Sequence, residues 1–371
     1  MKTIWNINTS LPVEFAVKIT KSLLDVENNS LLEIGDSGPN ARRLVLVDSE
    51  VFWAHSSKIK NYFLHHNITA KIIPIDVQEE TKELETLLFI LKTIENFAIL
   101  RRSEPLICIG GGVLLDIGGL AASLYRRGIP YIKVPTTLLA IVDASVGVKT
   151  SINHFGRRNR LGSYYAPVAA YLDKTFLKTL PEKEIIYAMG EILKMAVIKN
   201  EHLFDLMEDN IEVHIADKFL SDGKSDDIIS ISINDMIEEL EPNLWEKDLK
   251  RLVDFGHSFS PLAEMNSLED DTVKTLAHGE AVALDVIFSS CLSYHRKILS
   301  HKDLKRIKME VYHASFSDPM LMWEGLQDTM KHRNNDQNLP VPVTLGKSVF
   351  LNDVTFDDLT KTTKIYVQET K

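Results

Sequence analysis

Residues 106–119 read LICIGGGVLLDIGG, a short apolar run followed by three consecutive glycines and a second apolar segment. This order predicts a buried strand, a glycine turn and the beginning of a helix. Glycine allows a phosphate group to approach the backbone closely, and the amides at a helix N-terminus point toward such a group. The spacing differs from the GxGxxG of the standard dinucleotide fold, so the stretch alone predicts a phosphate-binding turn without fixing the ligand.

Short β-rich runs recur on both sides of this stretch, with helical patterns between them. Residues 81–97 have apolar residues at intervals of three and four, which is typical of a helix that covers a parallel sheet. Alternation of strands and helices indicates an α/β domain with a Rossmann-like nucleotide-binding sheet. The predicted strands are residues 44–48, 70–76, 105–110, 131–135 and 169–173.

The pattern changes after residue 180, where strand candidates become rare and long helical patterns take over. We expect helices over 184–200, 225–240 and 278–297. The change predicts a nucleotide-binding α/β domain over residues 1–177 and an all-helical domain over 178–371, with the functional site in the cleft between them.

Composition and charge exclude several classes of protein. The formal net charge of −10 over 371 residues argues against a general nucleic-acid-binding protein. The N-terminus lacks a signal-peptide pattern, and no apolar run approaches the about 18 residues of a membrane span, so we expect a cytoplasmic protein. Cys108 and Cys291 lie in apolar patterns and are interpreted as reduced core thiols rather than a disulfide.

Three residues far apart in the sequence could bind a metal ion. Glu191 lies in an apolar-periodic helix with Lys194 three residues later, and His257 and His278 lie beside glycines at predicted helix starts. One carboxylate and two histidines form the set of three protein ligands that catalytic zinc uses. A surface ion pair and two ordinary histidines are the alternative, and the spacing leaves both open.

Further polar residues could bind a phosphorylated ligand. Asp143 and Lys149 flank a glycine, and the basic run 157–160 follows shortly after, although a solvated basic loop would look the same. Glu246 and Lys250 precede Asp254 in one predicted helical run, and residues 331–334 form a late polar cluster. These two groups could equally lie on the surface.

With these residues assembled, the chain resembles the sugar phosphate cyclase superfamily, whose best-known member is 3-dehydroquinate synthase. The likeness spans roughly residues 40–350. It is carried by residues 110–154, NRLGSYYAP (159–167), LKTLPEKE (177–184), MGEILKMAVIKN (189–200), VDFGHSFSP (253–261) and HGEAVA (278–283), in the expected order.

The resemblance implies an NAD-binding α/β domain, a helical metal domain, a zinc or cobalt ion held by Glu191, His257 and His278, and a homodimer. It assigns cofactor contacts to Asp48, Glu79, Lys82, Gly110, Gly111, Gly112, Asp116, Thr136, Thr137, Asp143, Lys149 and Arg158. It assigns catalytic positions to Asp143, Lys149, Asn159, Lys194, Glu246 and Lys250, and substrate contacts to Arg158, Asp254, Asp285, His332 and Arg333.

Two departures from the dehydroquinate synthase pattern indicate the subfamily. Asp254 and Pro261 stand where dehydroquinate synthases carry an asparagine and a second histidine. Together with EPNLWE (241–246), Asp285 and the pair 332–333, they resemble cyclases that act on sedoheptulose 7-phosphate and favour the 2-epi-5-epi-valiolone synthase subfamily. Desmethyl-4-deoxygadusol synthase and 2-epi-valiolone synthase share most of this scaffold and stay open.

The implied activity is that of a carbon–oxygen lyase, in which NAD transiently oxidises the sugar, phosphate is eliminated, the hydride returns and an aldol addition closes the ring. We hypothesise that Asp285 and His332 contact hydroxyls of the longer ketose. The alternatives are a true dehydroquinate synthase and a metal-dependent alcohol or glycerol dehydrogenase, which shares the architecture but consumes NAD.

Overall fold

The structure is a computed structural model, and it describes residues 3–38, 40–269, 274–307 and 313–370. The chain divides into two compact units. The first unit comprises residues 1–135 and 148–173, and the second comprises 136–147 and 174–371. The last segment of the first unit ends at Asp173, and residues 136–147 group with the second unit. The domain boundary after residue 177 stays a prediction.

The first unit contains a six-stranded parallel sheet with the order β1-β8-β5-β4-β2-β3. The strands of this unit are β1 (Ala16–Ile19), β2 (Arg42–Asp48), β3 (Thr69–Ile75), β4 (Leu106–Gly110), β5 (Tyr131–Pro135), β6 (Lys149–His154), β7 (Arg157–Tyr164) and β8 (Ala169–Leu172). Its helices are α1 (Ser49–His65), α2 (Leu84–Phe97) and α3 (Gly112–Leu124). The five predicted strands and the predicted helix over 81–97 are confirmed, whereas β1, β6 and β7 were not predicted.

The central strands are covered on both faces, as the continuous apolar runs predicted. All five residues of β4 are buried, and α3 packs directly against this strand. A Cβ at Gly118 of α3 would lie 2.5 Å from Sγ of Cys108, so glycine permits the close approach of helix and strand. Cys108 and Cys291 are both buried free thiols, as the sequence predicted.

The strand order reverses direction between β2 and β4, because β3 lies outside β2 while β5 and β8 lie beyond β4. In open α/β sheets, ligands bind at the carboxyl ends of the strands at such a reversal. β2 and β4 pair from Leu44 and Leu106 to Val47 and Ile109. The next residues, Asp48 and Gly110, therefore lie side by side at the edge where a ligand is expected.

The second unit is helical, with an additional two-stranded antiparallel hairpin. Its elements are α4 (Glu182–Ile198), α5 (Glu201–Ala216), α6 (Lys224–Leu240), α7 (Ser260–Glu269), α8 (His278–His295), α9 (His301–Ile307), α10 (Pro319–His332), β9 (Leu339–Thr344), β10 (Lys347–Leu351) and α11 (Phe356–Thr370). The three predicted helices are confirmed as α4, α6 and α8, and with them the α/β fold with a helical second domain.

Two helices form the core of the second unit. Every residue from Ala188 to Ile198 in α4 is buried, and so is every residue from Ala281 to Ser293 in α8. A helix that is apolar all round is expected to lie inside a domain, surrounded by other helices. Within the described ranges, none of the helices combines the length and the apolar character that crossing a membrane requires.

Candidate functional site

The glycine turn of the first unit has the geometry that its sequence predicted. Gly110 ends β4, Gly111 is the N-cap of α3, and the helix begins at Gly112. A Cβ at Gly110 would lie 3.1 Å from Cβ of Asp48 and 2.8 Å from a methyl carbon of Leu114, so any side chain there would require these neighbours to shift. The first amides of α3 receive no capping bond from Gly111, which makes this helix N-terminus suitable for an anion such as a pyrophosphate.

A buried polar cluster lies one turn further along α3. Lys82 is 4% exposed. Its ammonium nitrogen lies 2.6 Å from Oδ2 of Asp116 and 2.6 Å from Oδ1 of Asn159. The Ser151 hydroxyl donates to the same oxygen of Asn159 at 2.9 Å. The structure thus brings together three residues that the resemblance assigned to the cofactor and substrate, and adds Ser151, which sequence reasoning missed.

Asp48 and Glu79, the cofactor contacts that the resemblance assigns to ribose hydroxyls, have protein partners. Asp48 caps α1 by accepting from the Glu50 amide at 2.9 Å, and burial raises the pKa of its carboxyl. Glu79 forms a two-point ion pair with Arg158, with Nε and Nη2 of the arginine each 3.0 Å from a carboxylate oxygen. Their ribose contacts stay predictions, and the Glu79–Arg158 pair ties residue 79 to strand β7.

The Glu79 pair predicts an acid-sensitive contribution to stability. Burial opposes ionisation, but Arg158 and Lys82 outweigh it and lower the pKa of Glu79 from 4.5 to about 2. A lowered carboxyl pKa stabilises the fold above pH 4.5, and this stabilisation is lost as the pH falls toward 2. We expect Glu79→Gln to cost about 2 kcal/mol of unfolding free energy at pH 7, after allowance for solvent screening.

Urea unfolding at pH 7 and at pH 3 measures this effect. The difference between wild type and Glu79→Gln should shrink at the lower pH, whereas Glu85→Gln, which removes an exposed carboxylate on α2, should change little at either. A difference that is the same at both pH values would contradict the ion-pair explanation.

In the second unit, the three candidate metal ligands converge. Glu191 on α4 is 2% exposed, and its Oε1 lies 3.3 Å from Nε2 of His257 and 3.4 Å from Nε2 of His278. One ligand atom from each of the three residues lies within 4.8 Å of the others. The structure therefore brings together side chains separated by 66 and 87 residues, 191 to 257 and 191 to 278, around one point.

Hydrogen bonds on the far sides of the two imidazoles fix which nitrogens face that point. Nδ1 of His257 lies 3.2 Å from the Phe255 carbonyl oxygen, and Nδ1 of His278 lies 3.0 Å from Oε1 of Glu264. Because carbonyl and carboxylate oxygens only accept, each Nδ1 donates, and in the neutral ring each Nε2 presents a lone pair. Three acceptor atoms that face one another fit a divalent cation such as zinc.

Charged side chains surround Glu191 in this cluster. Burial alone would raise the pKa of Glu191, but the adjacent Lys194 and His257 lower it well below its ordinary value, so Glu191 is an anion. Lys194, which is 3% exposed, forms an ion pair with it. Asp143 lies in the π-helical turn Ala140–Ala144, and its pKa is raised by burial and by the charge of Glu191.

A close helix crossing holds the ligands in place. Gly190 on α4 faces Gly279 on α8, and these glycines neighbour Glu191 and His278 in sequence. A Cβ at Gly190 would lie 2.0 Å from the Gly279 carbonyl oxygen. The absence of both side chains therefore allows the two helices to approach until Glu191 and His278 meet.

Three predicted residues of the second unit, Glu246, Asp254 and Arg333, are linked by ion pairs through Arg251. Glu246 contacts Arg251, Arg251 contacts Asp254, and Oδ2 of Asp254 lies 3.3 Å from Nε of the buried Arg333. The prediction that residues 246–254 form one helical run is wrong: short 3₁₀ turns cover 241–243 and 252–254, and Glu246 has a φ of 50°. A left-handed residue cannot continue a helix.

Asp285 is placed differently from the sequence hypothesis. It is 0% exposed, and both of its carboxylate oxygens accept hydrogen bonds from the protein. These protein partners favour a structural role, and contact of Asp285 with a substrate hydroxyl stays a prediction. His332, which the same hypothesis assigns to the substrate hydroxyls, is exposed at the end of α10 and does not share that buried position.

The other predicted positions are dispersed. Lys149 is exposed at the first residue of β6, and the ammonium of Lys250 lies 4.9 Å from the ring centre of Phe350. Thr136 is buried just after β5, while Oγ1 of Thr137 accepts from the Ala140 amide at 3.1 Å. Their assigned catalytic and cofactor roles stay predictions.

Sequence reasoning missed Glu264, whose buried carboxylate orients His278. A signal was available, because Glu264 is the one charged residue in the sequence stretch 258–268 that follows His257. A metal-binding histidine usually has such a carboxylate on its second nitrogen.

Comparison with known proteins agrees with this geometry. The family models for the 3-dehydroquinate synthase N-terminal and C-terminal domains match residues 72–187 and 188–337. A 2-epi-5-epi-valiolone synthase of an Actinomyces species is 38% identical over 96% of this chain and 96% of its own length. One from Streptomyces albus is 40% identical over 95% of this chain and 87% of its own length.

A solved structure is similarly close to this chain. ValA, a 2-epi-5-epi-valiolone synthase from Streptomyces hygroscopicus subsp. jinggangensis 5008 with NAD+ and Zn2+ bound, superposes with a TM-score of 0.91 and 36% identity. The match covers 98% of this chain and 99% of ValA. The chain is thus an enzyme of the 3-dehydroquinate synthase family of sugar phosphate cyclases, and it belongs to the branch of the 2-epi-5-epi-valiolone synthases.

Proposed function

We propose that this enzyme converts sedoheptulose 7-phosphate to the C7 cyclitol 2-epi-5-epi-valiolone and releases phosphate, with NAD and zinc or cobalt as cofactors. The observation that carries the proposal is the convergence of Glu191, His257 and His278 in a chain 38% identical to a 2-epi-5-epi-valiolone synthase. ValA, with NAD+ and Zn2+ bound, supports the choice of cofactors.

The protein would hold each cofactor with groups described above. Glu191, His257 and His278 would bind the metal, and the amides of the Gly110–Gly112 turn would bind the NAD pyrophosphate. When bound, NAD would accept and return one hydride, and the metal would lower the pKa of a coordinated substrate hydroxyl. Oxidation of that hydroxyl to a ketone makes the neighbouring C–H acidic, which is the condition for eliminating phosphate.

The side chains of the first unit are arranged to hold an anion. Lys82 and Ser151 both engage Oδ1 of Asn159, which fixes the amide plane so that Nδ2 serves as the donor on its other side. We propose that Nδ2 of Asn159 and the basic groups of Lys149 and Arg158 bind the phosphate of the substrate. A fixed donor holds the leaving group in one orientation while its C–O bond breaks.

In the second unit, the charge of Lys194 contributes to the chemistry. Its ammonium is buried beside Glu191, so it places a positive charge next to the metal-binding carboxylate. We propose that this charge stabilises oxyanions that develop on the substrate, since electrostatic stabilisation is strong where water is excluded.

After the hydride returns, the sugar ring opens and a new C–C bond closes the cyclitol, without net oxidation.

A net redox balance tests this function. We expect purified enzyme with sedoheptulose 7-phosphate, NAD+ and Zn2+ or Co2+ to release one phosphate per cyclitol formed, with no accumulation of NADH. Product mass and NMR identify the cyclitol, and the sugar phosphate precursor of 3-dehydroquinate serves as the control substrate. Stoichiometric NADH would instead identify a dehydrogenase, and turnover of the control substrate alone would identify a dehydroquinate synthase.

We further propose a cytoplasmic homodimer. The family resemblance supports the dimer, and the two buried free thiols are consistent with a reducing compartment. Light scattering coupled to size-exclusion chromatography should give twice the mass of one chain.

A further inference from the structure

The carboxylate of Asp285 has a complete set of protein partners. Its Oδ2 accepts three successive backbone N–H groups, from Ser258 at 2.9 Å, Phe259 at 2.6 Å and Ser260 at 2.9 Å. Its Oδ1 accepts from the Ser289 hydroxyl at 2.9 Å. Because these three amides immediately follow His257, Asp285 determines the path of the backbone that leaves this metal ligand.

The same bonds complete the N-terminus of α7. The first four N–H groups of a helix have no partner inside it. Here Asp285 accepts the N–H groups at the helix start, and the second helical residue is Pro261, which has no N–H to satisfy. Pro261 and Asp285, two of the residues that mark the subfamily, therefore act together in one structural element.

Other contacts hold the same loop from its other sides. The Thr329 hydroxyl donates to the Ser258 carbonyl oxygen at 2.9 Å, and the guanidinium of Arg333 lies 3.3 Å from the Ser258 hydroxyl. Upstream, Gly256 has a φ of +77°, and a Cβ there would lie 2.9 Å from a methyl carbon of Val282 on α8. The loop that carries His257 thus packs directly onto α8.

Helix α8 therefore fixes both histidine ligands. It begins with His278, and Asp285 lies on the same helix seven residues later, which is about two turns. We propose that Asp285 is a positioning residue, which sets the distance of His257 Nε2 from Glu191 and His278 by anchoring residues 258–260 to the helix that carries His278. This inference rests on the proposed function only in taking the three ligands to bind a metal.

The test measures metal binding directly. We expect Asp285→Ala to weaken Zn2+ binding about 10- to 100-fold, measured by competition with a chromophoric chelator, and to change the visible absorption spectrum of the Co2+-loaded protein. Asp285→Asn should restore part of the affinity, because its amide oxygen can still accept the three N–H groups. The conservative variant also covers the case in which Asp285→Ala fails to fold.

A matched control separates positioning from simple loss of stability. Asp358 is a second buried carboxylate at a helix start of this unit, where it accepts from the Thr355 amide at 2.9 Å. We expect Asp358→Ala to lower the melting temperature without changing the Zn2+ affinity or the Co2+ spectrum.

Two outcomes would overturn the inference. Wild-type affinity and an unchanged spectrum in folded Asp285→Ala would overturn it, and so would an equal loss of affinity in Asp358→Ala. If the wild-type protein itself bound neither Zn2+ nor Co2+, the proposed function would fail instead, so the two failures are distinguishable.

Discussion

A Glu191→Gln variant should lose tight metal binding and at least about a thousandfold of its cyclase activity, which corresponds to about 4 kcal/mol of transition-state stabilisation. Glutamine keeps the shape of the side chain but removes the negative charge that lies 3.3 and 3.4 Å from the two Nε2 atoms. The substitution also leaves the buried Lys194 without its anionic partner. Breaking a buried ion pair in this way lowers the free energy of unfolding by about 3–5 kcal/mol.

The measurements are the zinc content after dialysis and kcat/KM for phosphate release. Glu264→Gln provides the comparison, because its amide oxygen can still accept from Nδ1 of His278. We expect this variant to lose about 10- to 100-fold or less in kcat/KM. The double variant Glu191→Gln, Lys194→Met should recover part of the lost free energy of unfolding but should not recover the zinc content. Zinc retained by Glu191→Gln at the wild-type level would rule out Glu191 as a ligand.

The parts of the fold that the sequence predicts well are those with strong local patterns. The apolar runs of β2, β4 and β5 are buried strands, and the long periodic segments of α4 and α8 are core helices. The sequence identifies the three candidate metal ligands because each lies beside a distinctive glycine or helical motif, and the resemblance to the cyclases joins them into one set.

Interactions with the backbone are the ones that a sequence does not display. A substrate contact of Asp285 stays a prediction, whereas its bonds from three backbone amides had no sequence signal, because every residue except proline carries an amide N–H. The predicted helix over residues 246–254 had suitable side chains, yet Glu246 adopts a left-handed conformation and interrupts it. Propensity yields to tertiary contacts in such short segments.

The second large effect is expected at the crossing of α4 and α8. A Cβ at Gly279 would lie 1.7 Å from the Tyr187 carbonyl oxygen, which is a backbone atom and cannot move aside as a side chain can. Gly279→Ala should therefore force the helices apart, at a cost of about 3 kcal/mol or more and a fall in melting temperature of roughly 6–12 °C. Since Glu191 and His278 are carried by these helices, zinc affinity should fall with stability.

Gly325→Ala is the matched control, because it adds the same methyl group inside another helix of the unit. Its Cβ would lie 3.5 Å from the nearest atoms, an ordinary contact, and alanine favours a helix over glycine by about 1 kcal/mol. This variant should keep wild-type zinc affinity and equal or higher thermal stability. Calorimetry and zinc titration of both variants settle the matter: a Gly279→Ala protein that melts and binds zinc like Gly325→Ala would show that the close crossing does not hold the metal ligands together.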